Sequence, residues 1–248
     1  MLQQPSNAPL DLLFLGSGNA FASNGNAFSS FLLNGRYLFD CGPTVLQQMR
    51  KAGVSSHDVE VVFISHFHAD HFFGLPFLLL DGHYGGRVND LTIVGPPGIE
   101  AQTEQLIKLG YPGLRKGEPA AFKRKYVEVA DLFVSNIFEL AICASRVDHV
   151  DEFPCFAYRV QIGGRSVVYS GDSTLCEGLM RLVPGADVIV LECSTMDVPV
   201  HLGPSGVAAI KRMARPDAPI IVTHLDEKPH PDNYHGLMVA QDLWRYRI

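Results

Sequence analysis

The sequence predicts a mixed α/β fold in which two β-sheets are covered by outer helices. Three observations lead there. Strand-type runs give way to helical segments, and that order recurs in both halves of the 248 residues. Hairpin turns stand near the start of each half, at Asn34-Gly35 and at Gly163-Gly164. Runs such as Val61-Val62-Phe63-Ile64 are apolar at every position, as strands buried on both faces must be.

The elements follow in order. Leu10 to Leu15 reads as a strand entering the tight turn Gly16-Ser17-Gly18. Phe28 to Leu33 and Tyr37 to Phe39 form the first hairpin. A helix is expected after Pro43 as far as Ala52, stopped by Gly53. The strand Val61–Ile64, a helix over Phe72–Leu80, a strand over Leu91–Val94 and a helix over Ile99–Leu109 complete this half. The second half reads as strands at Phe138–Ser145, Cys155–Ile162 and Ser166–Ser170, then a helix over Leu175–Leu182. The strand Val188–Glu192, a helix over Pro204–Ala214 and the strand Ile220–Thr223 follow.

Hydrophobic residues make up 47% and charged residues 19%, which suits a sizeable core. One domain over residues 1–248 is expected, with 1–9 as a flexible lead-in. That lead-in has no Lys or Arg before an apolar region, so it does not read as a secretory signal. No run of 18 apolar residues exists, so no membrane span is expected. Five widely spaced cysteines with no C-x-x-C pair argue against a disulfide framework and a thiolate zinc knuckle, and point to a reducing cytoplasm. A net charge of −6 is unlike that of a basic nucleic-acid-binding protein. The basic cluster Lys123-Arg124-Lys125, with Arg115 and Lys116 nearby, is either a solvated loop or a phosphate-contacting patch.

The densest chemistry is Ser65-His66-Phe67-His68-Ala69-Asp70-His71, directly after a buried strand. Imidazoles and carboxylates suit zinc and similar borderline metals. Other predicted strands end in further ligands: His149 in Asp148-His149, Asp172 in Gly171-Asp172-Ser173, and His224 in Thr223-His224. Seven ligands suit two metals. One partition gives His66, His68 and His149 to the first and Asp70, His71 and His224 to the second, with Asp172 bridging. A hydroxide held between two such metals would be a nucleophile near neutral pH.

His66-Phe67-His68-Ala69-Asp70-His71 resembles the signature of the metallo-β-lactamase superfamily. The resemblance runs from Leu12 to about His224. It implies a four-layer αβ/βα sandwich of two mixed sheets flanked by helices, with the same seven metal ligands. Leu15-Gly16-Ser17-Gly18-Asn19-Ala20 and Leu38-Phe39-Asp40-Cys41-Gly42 resemble the opening motifs of the ribonuclease Z-like branch, in which the aspartate supports the site. Glu192-Cys193-Ser194-Thr195 resembles its His-Glu-Ala-Thr motif, although Leu191 stands where the histidine is expected. The implied catalytic set is Asp70, His201 and Glu192. His201 would act as a general acid or transition-state stabiliser oriented by Glu192, or else is a helix-capping or surface residue.

That branch carries a basic tRNA-gripping arm, usually between the positions of His149 and Asp172. Only a short hairpin fits there. The function expected is therefore a dinuclear metal-dependent hydrolase, foremost an arm-less phosphodiesterase acting on a small phosphodiester or short nucleic acid. The alternatives are a lactone, ester, thioester or β-lactam hydrolase on the same site, or tRNA 3′-processing as in ribonuclease Z despite the missing arm. The cofactors expected are two divalent ions, with Zn2+ the default and Mn2+ or Fe2+ as options. Homodimers are common in the resembled branch. His83 and Tyr84 are candidates for the substrate mouth, and His230 and His235 for the pocket wall or the surface.

Overall fold

The computed structural model describes residues 8–114, 122–226 and 236–248. Arg115, Lys116, His230, His235 and the start of the lead-in, 1–7, lie outside the described residues. The first sheet contains β1 (Asp11–Gly16), β2 (Ser30–Leu33), β3 (Tyr37–Phe39), β4 (Val61–Phe63), β5 (Leu91–Gly95) and β6 (Arg124–Glu128). The second contains β7 (Phe133–Ile137), β8 (Leu140–Val147), β9 (Cys155–Ile162), β10 (Arg165–Tyr169), β11 (Val188–Glu192), β12 (Ile220–Thr223) and β13 (Met238–Val239). The last strand, β14 (Arg245–Arg247), returns to pair with β1 in the first sheet. The strand orders are 14-1-2-3-4-5-6 and 13-12-11-10-9-8-7. Both sheets are mixed: β3 to β6 run parallel, as do β10 to β13, and the remaining neighbours are antiparallel.

Side-chain alternation explains why the central strands are apolar on both faces. In β1, Leu12 and Phe14 enter a core shared by the two sheets, while Leu13 and Leu15 enter a core beneath helices. In β11, Val188 and Val190 face the same central core, and Ile189 and Leu191 face the opposite helices. A period of two, with a buried layer on each side, leaves no position for a polar residue. An aromatic row crosses the first sheet in the central core: Phe14, Phe31, Phe39 and Phe63 stack with centroids 5.4, 4.5 and 4.7 Å apart. Such cross-strand pairs each add roughly 0.5–1.5 kcal/mol beyond burial.

The outer layers are α1 (Val45–Ala52), α2 (Ala69–Phe72), α3 (Leu75–Tyr84) and α4 (Ile99–Gly110) on one side, and α5 (Glu177–Leu182) and α6 (Pro204–Met213) on the other. This is the four-layer order expected. Gly53 ends α1 in the left-handed region (φ 67°), as its place after the helix requires.

Four local expectations need correction. The single helix over Phe72–Leu80 is two helices broken at Phe73-Gly74, because the ligand residues start a helix of their own. The strand over Phe138–Ser145 is a hairpin of β7 and β8, turning at Phe138 with φ 52°. Half-exposed β7 alternates too weakly in hydropathy to announce itself. The glycine-flanked loop carrying His83 and Tyr84 is the last turn of α3, and neither residue lines the cavity over the histidine cluster. Finally, the basic cluster is paired: Arg124 lies 3.2 Å from Glu104 and Lys125 lies 2.9 Å from Asp90. Its position on β6 explains the pairing, since acids from neighbouring segments reach its side chains.

Candidate metal centre and active site

Both sheets deliver ligands from the carboxyl ends of their strands to one edge, which is where open α/β sheets bind ligands. β4 leads to His66–His71, β8 to His149, β10 to Asp172, β11 to Glu192 and β12 to His224. Close backbone approach is required where the first ligand loop meets the turn after β3. A Cβ on Gly42 would lie 1.9 Å from the Asp70 carbonyl oxygen, so only glycine fits.

Three overlapping donor groups result: Asp172, Glu192, His201 and His224 form one, and the other two match the expected partition. His66, His68, His149 and Asp172 each offer an atom within 4.8 Å of the others, as do Asp70, His71 and His224. His68 Nδ1 lies 3.0 Å from His66 Nε2 and 3.2 Å from His149 Nε2. Zinc binds imidazole nitrogen at ~2.0–2.1 Å, so a tetrahedral site has donor–donor edges of roughly 3.3 Å. In the second group, His71 Nε2 and His224 Nε2 lie 3.1 and 3.3 Å from Asp70 Oδ2. Asp172 joins the groups: Oδ1 is 3.3 Å from His71 Nε2, and Oδ2 is 3.4 Å from His224 and 3.8 Å from His149.

Hydrogen bonds on the far side of the His66, His71 and His149 rings set their tautomers. Asp40 is fully buried at the centre of this scaffold. Its carboxylate accepts from Ser65 N, Ser65 Oγ, His71 Nδ1 and Tyr169 Oη at 2.6–2.8 Å. Ser65 Oγ, having donated to Asp40, accepts from His66 Nδ1 at 2.9 Å. His149 Nδ1 donates to the Val200 carbonyl at 2.7 Å. Each ring so held turns an Nε2 lone pair inward, the arrangement that orients metal-binding histidines.

Two of the inner atoms have nothing else to bind. His71 Nε2 and Asp172 Oδ1 are buried and lack hydrogen-bond partners. Orphaned polar atoms of this kind are costly in a protein interior unless a ligand satisfies them. The residues therefore fit a pair of divalent cations. Burial, with the charge on His71 adding to it, holds His66 well below the usual histidine range; burial likewise lowers His68 and His149. These rings are neutral and available as donors. Burial would raise Asp172, but His224 and His71 beside it hold its carboxyl well below the usual range. Burial opposes charge on His71 as well, yet Asp172, Asp70 and Asp40 draw its pKa upward.

On the open side, His201 Nδ1 donates to Glu192 Oε2 at 2.8 Å, and Glu192 Oε1 also accepts from the Ser173 backbone N–H. Burial lowers the His201 pKa, but the Glu192 hydrogen bond and the charges on Glu192 and Asp172 outweigh it and bring the value to about 9. Glu192 is itself raised by burial and by Asp172. His201 Nε2 is left for whatever occupies the cavity, about 300 Å3 in volume, above Asp70, His149, Asp172 and His224. A wall of Phe67 and Phe153 packs beside His66 and His68, and a second groove of about 560 Å3 beyond it contains no residue of any donor group.

Thus the structure brings together all seven residues expected as ligands, with Glu192 and His201 beside them. Sequence reasoning missed Tyr169 and Ser65 as partners of Asp40, the Val200 carbonyl, and the rim residues Asn19, Phe21, Ser194 and Asp226. Asn19, Ser65 and Ser194 carried a signal, since each lies inside one of the sequence motifs above.

Similarity to known proteins agrees with this architecture. Ribonuclease Z of Methanothermobacter thermautotrophicus is 27% identical over 268 aligned positions, covering 88% of this chain and 87% of that protein. The metallo-β-lactamase fold protein YhfI from Bacillus subtilis superposes with a TM-score of 0.76 at 22% identity, over 96% of this chain and 99% of that one. The short form of human tRNase Z gives 0.74 at 24% identity, over 95% and 98%. The chain is a metallo-β-lactamase superfamily protein of the ribonuclease Z-like branch. Within it, the model of one family, described as anti-Pycsar protein Apyc1, matches residues 10–236, and the chain belongs to that family.

Proposed function

We propose that this protein is a dinuclear metal-dependent phosphodiesterase whose substrate is a small phosphodiester. The observation that carries this reading is the pair of donor groups meeting at Asp172, with His201 Nδ1 beside them, 3.9 Å from Asp172 Oδ2. His66, His68, His149 and Asp172 would hold one ion, and Asp70, His71, His224 and Asp172 the other. Two divalent ions there would supply Lewis acidity and a water acidic enough to attack near neutral pH. Zn2+ is the ion proposed, because the donors are mainly imidazole.

The chain's own groups supply the rest. Glu192 fixes the His201 ring through Nδ1. The Nε2 proton then faces the departing oxygen and can be transferred to it as the ester bond breaks. A pKa of about 9 keeps that proton in place at neutral pH. Small size of substrate is supported by the hairpin between His149 and Asp172, where β9 and β10 join through Gly163-Gly164 without an arm. The net charge of −6 supports it too. Five cysteines, none of them in a disulfide, support residence in a reducing compartment such as the cytoplasm. Among the described residues, no helix is long and apolar enough to cross a membrane.

The test joins elemental analysis to turnover of bis(p-nitrophenyl) phosphate, a nucleoside 3′,5′-cyclic phosphate, a precursor tRNA and a homoserine lactone. Two metals per chain and preference for the small diesters are expected. Faster lactone turnover would overturn the reading, and a preference for precursor tRNA would replace the small diester with RNA.

A further inference from the structure

His201 stands on a loop, nine residues beyond Glu192 at the end of β11. Ser194 and Leu202 are buried at the two ends of that loop, but none of residues 195–201 between them is. Met196 is 69% exposed and Val200 41%. Apolar packing therefore contributes little to where the His201 backbone sits. The Glu192 hydrogen bond fixes one ring atom, Nδ1. The direction in which Nε2 points depends also on the backbone that carries the ring.

Polar contacts hold the loop instead. Ser194 N donates to the Leu202 carbonyl at 2.9 Å and closes the loop at its base. Thr195 N and Oγ1 donate to the Asp226 carboxylate at 2.9 and 3.2 Å. Farther out, Val198 and His201 form an isolated antiparallel bridge. Asp197, next to Val198, ties this bridge to α6. The N-cap of α6 is Gly203, which has no side chain to accept from the helix's first N–H groups, and Pro204 follows it. Asp197 Oδ1 fills that role from outside the helix, accepting from Ser205 N at 3.2 Å. Gly203 leaves the room: a Cβ there would lie 2.2 Å from Asp197 Oδ1 and 2.5 Å from Asp197 Cα. An ordinary capping side chain at position 203 would satisfy the same N–H. The reach from Asp197 does something more, because it also fixes the segment that pairs with His201.

We propose that Asp197 is a positioning residue for proton transfer from His201, acting through the Val198–His201 bridge. The proposal rests on the phosphodiesterase reading above and adds to it a residue outside the cavity. Val198 and His201 line that cavity, and Asp197 stands behind them. As the P–O bond to the leaving group breaks, its electron pair stays on the departing oxygen, and the Nε2 proton of His201 goes to that oxygen. Misplacing a catalytic group by about 1 Å can cost roughly 10²-fold in rate. How much is lost depends on the leaving group. A sugar alkoxide is strongly basic and needs the proton as the bond breaks. A p-nitrophenolate is weakly basic and departs with little help.

Two measurements on metal-loaded protein test this. The first compares kcat for a nucleoside 3′,5′-cyclic phosphate, whose leaving group is an alkoxide, with kcat for bis(p-nitrophenyl) phosphate. Asp197→Ala should lower the first about 10- to 100-fold and the second less than about 3-fold, with KM and metal content retained. Asp197→Asn keeps the Oδ1 acceptor and should restore most of the loss. Equal losses on both substrates, or no loss on either, overturn the proposal, because a residue that only stabilises α6 does not distinguish leaving groups. The second measurement follows amide hydrogen exchange. Asp197→Ala should speed exchange over residues 198–205 about 10-fold and leave β12 unchanged. Unchanged exchange over 198–205 overturns the proposal. Faster exchange in the variant, with neither diester turned over by the native protein, upholds the tether and overturns the phosphodiesterase reading instead.

Discussion

The floor and the rim of the cavity are built on opposite principles. On the floor, His66, His71, Asp172 and Glu192 are at most 3% exposed, and the far sides of the His66, His71 and His149 rings are tied to Ser65, Asp40 and a backbone carbonyl. On the rim, Phe21 stands almost wholly in solvent on a turn that Asn19 and Asp242 help hold in place. The floor is anchored by strand ends that pack on both faces, and any shift there disturbs a core. The rim consists of loops beyond those ends, where residue changes disturb little. Reaction chemistry therefore belongs to the rigid part, and choice of substrate to the part that can vary at low cost to stability.

Substitutions can break that contrast at different depths. Asp172→Ala has the largest expected effect, because one side chain serves both donor groups. Turnover should vanish and elemental analysis should show metal lost from both positions. His201→Ala should lower kcat by about 10²–10⁴-fold while metal content stays nearly constant. Metal loss in that variant would make His201 a ligand or a structural residue instead.

Asp40→Asn tests how far the floor depends on support behind it. An amide keeps the shape but cannot accept all four of the hydrogen bonds that the carboxylate takes. Metal affinity, measured by competition with a chelator, should weaken about 10–100-fold. Unaltered affinity would show that the two strand ends alone position His71.

The smallest expected effect is a shift in pH dependence. His201 has its pKa raised to about 9, so the proton it would donate is present below that pH. Activity should fall as pH rises through about 9. The same shift has a stability counterpart, fully present below the ordinary histidine value and lost as pH climbs through the folded one. Glu192→Gln removes the negative charge that supports the shift, so the alkaline limb of kcat should move to lower pH. A limb that stays in place would assign it to another group.

Much of this was legible because it is local. His66-Phe67-His68-Ala69-Asp70-His71 concentrates four ligands behind an apolar strand, and His149, Asp172 and His224 each follow a strand of their own. Asn34-Gly35 marked its hairpin, and Gly53 its helix end. Phe133–Ile137 was not legible, since a half-exposed strand at a sheet edge has no need of a continuous apolar face. Nor was the pairing of β14 with β1, which joins residues more than 230 positions apart. The rim stayed hidden for the same reason: nothing near Ser17 or Ala27 in sequence announces that Asp242 will accept from both.

The sequence by itself determined the kind of chemistry and the layers. Ligand type is a property of single residues, and burial on both faces of a strand is written in a run of neighbours. Only the tertiary structure decided which atoms meet: that Asp172 lies between two histidine groups, that Tyr169 and Ser65 share Asp40, and that Asp242 clamps the turn carrying Phe21. Such contacts are set by how two twisted sheets pack across a common core. The geometry belongs to the packed pair, and no segment of either sheet contains it alone.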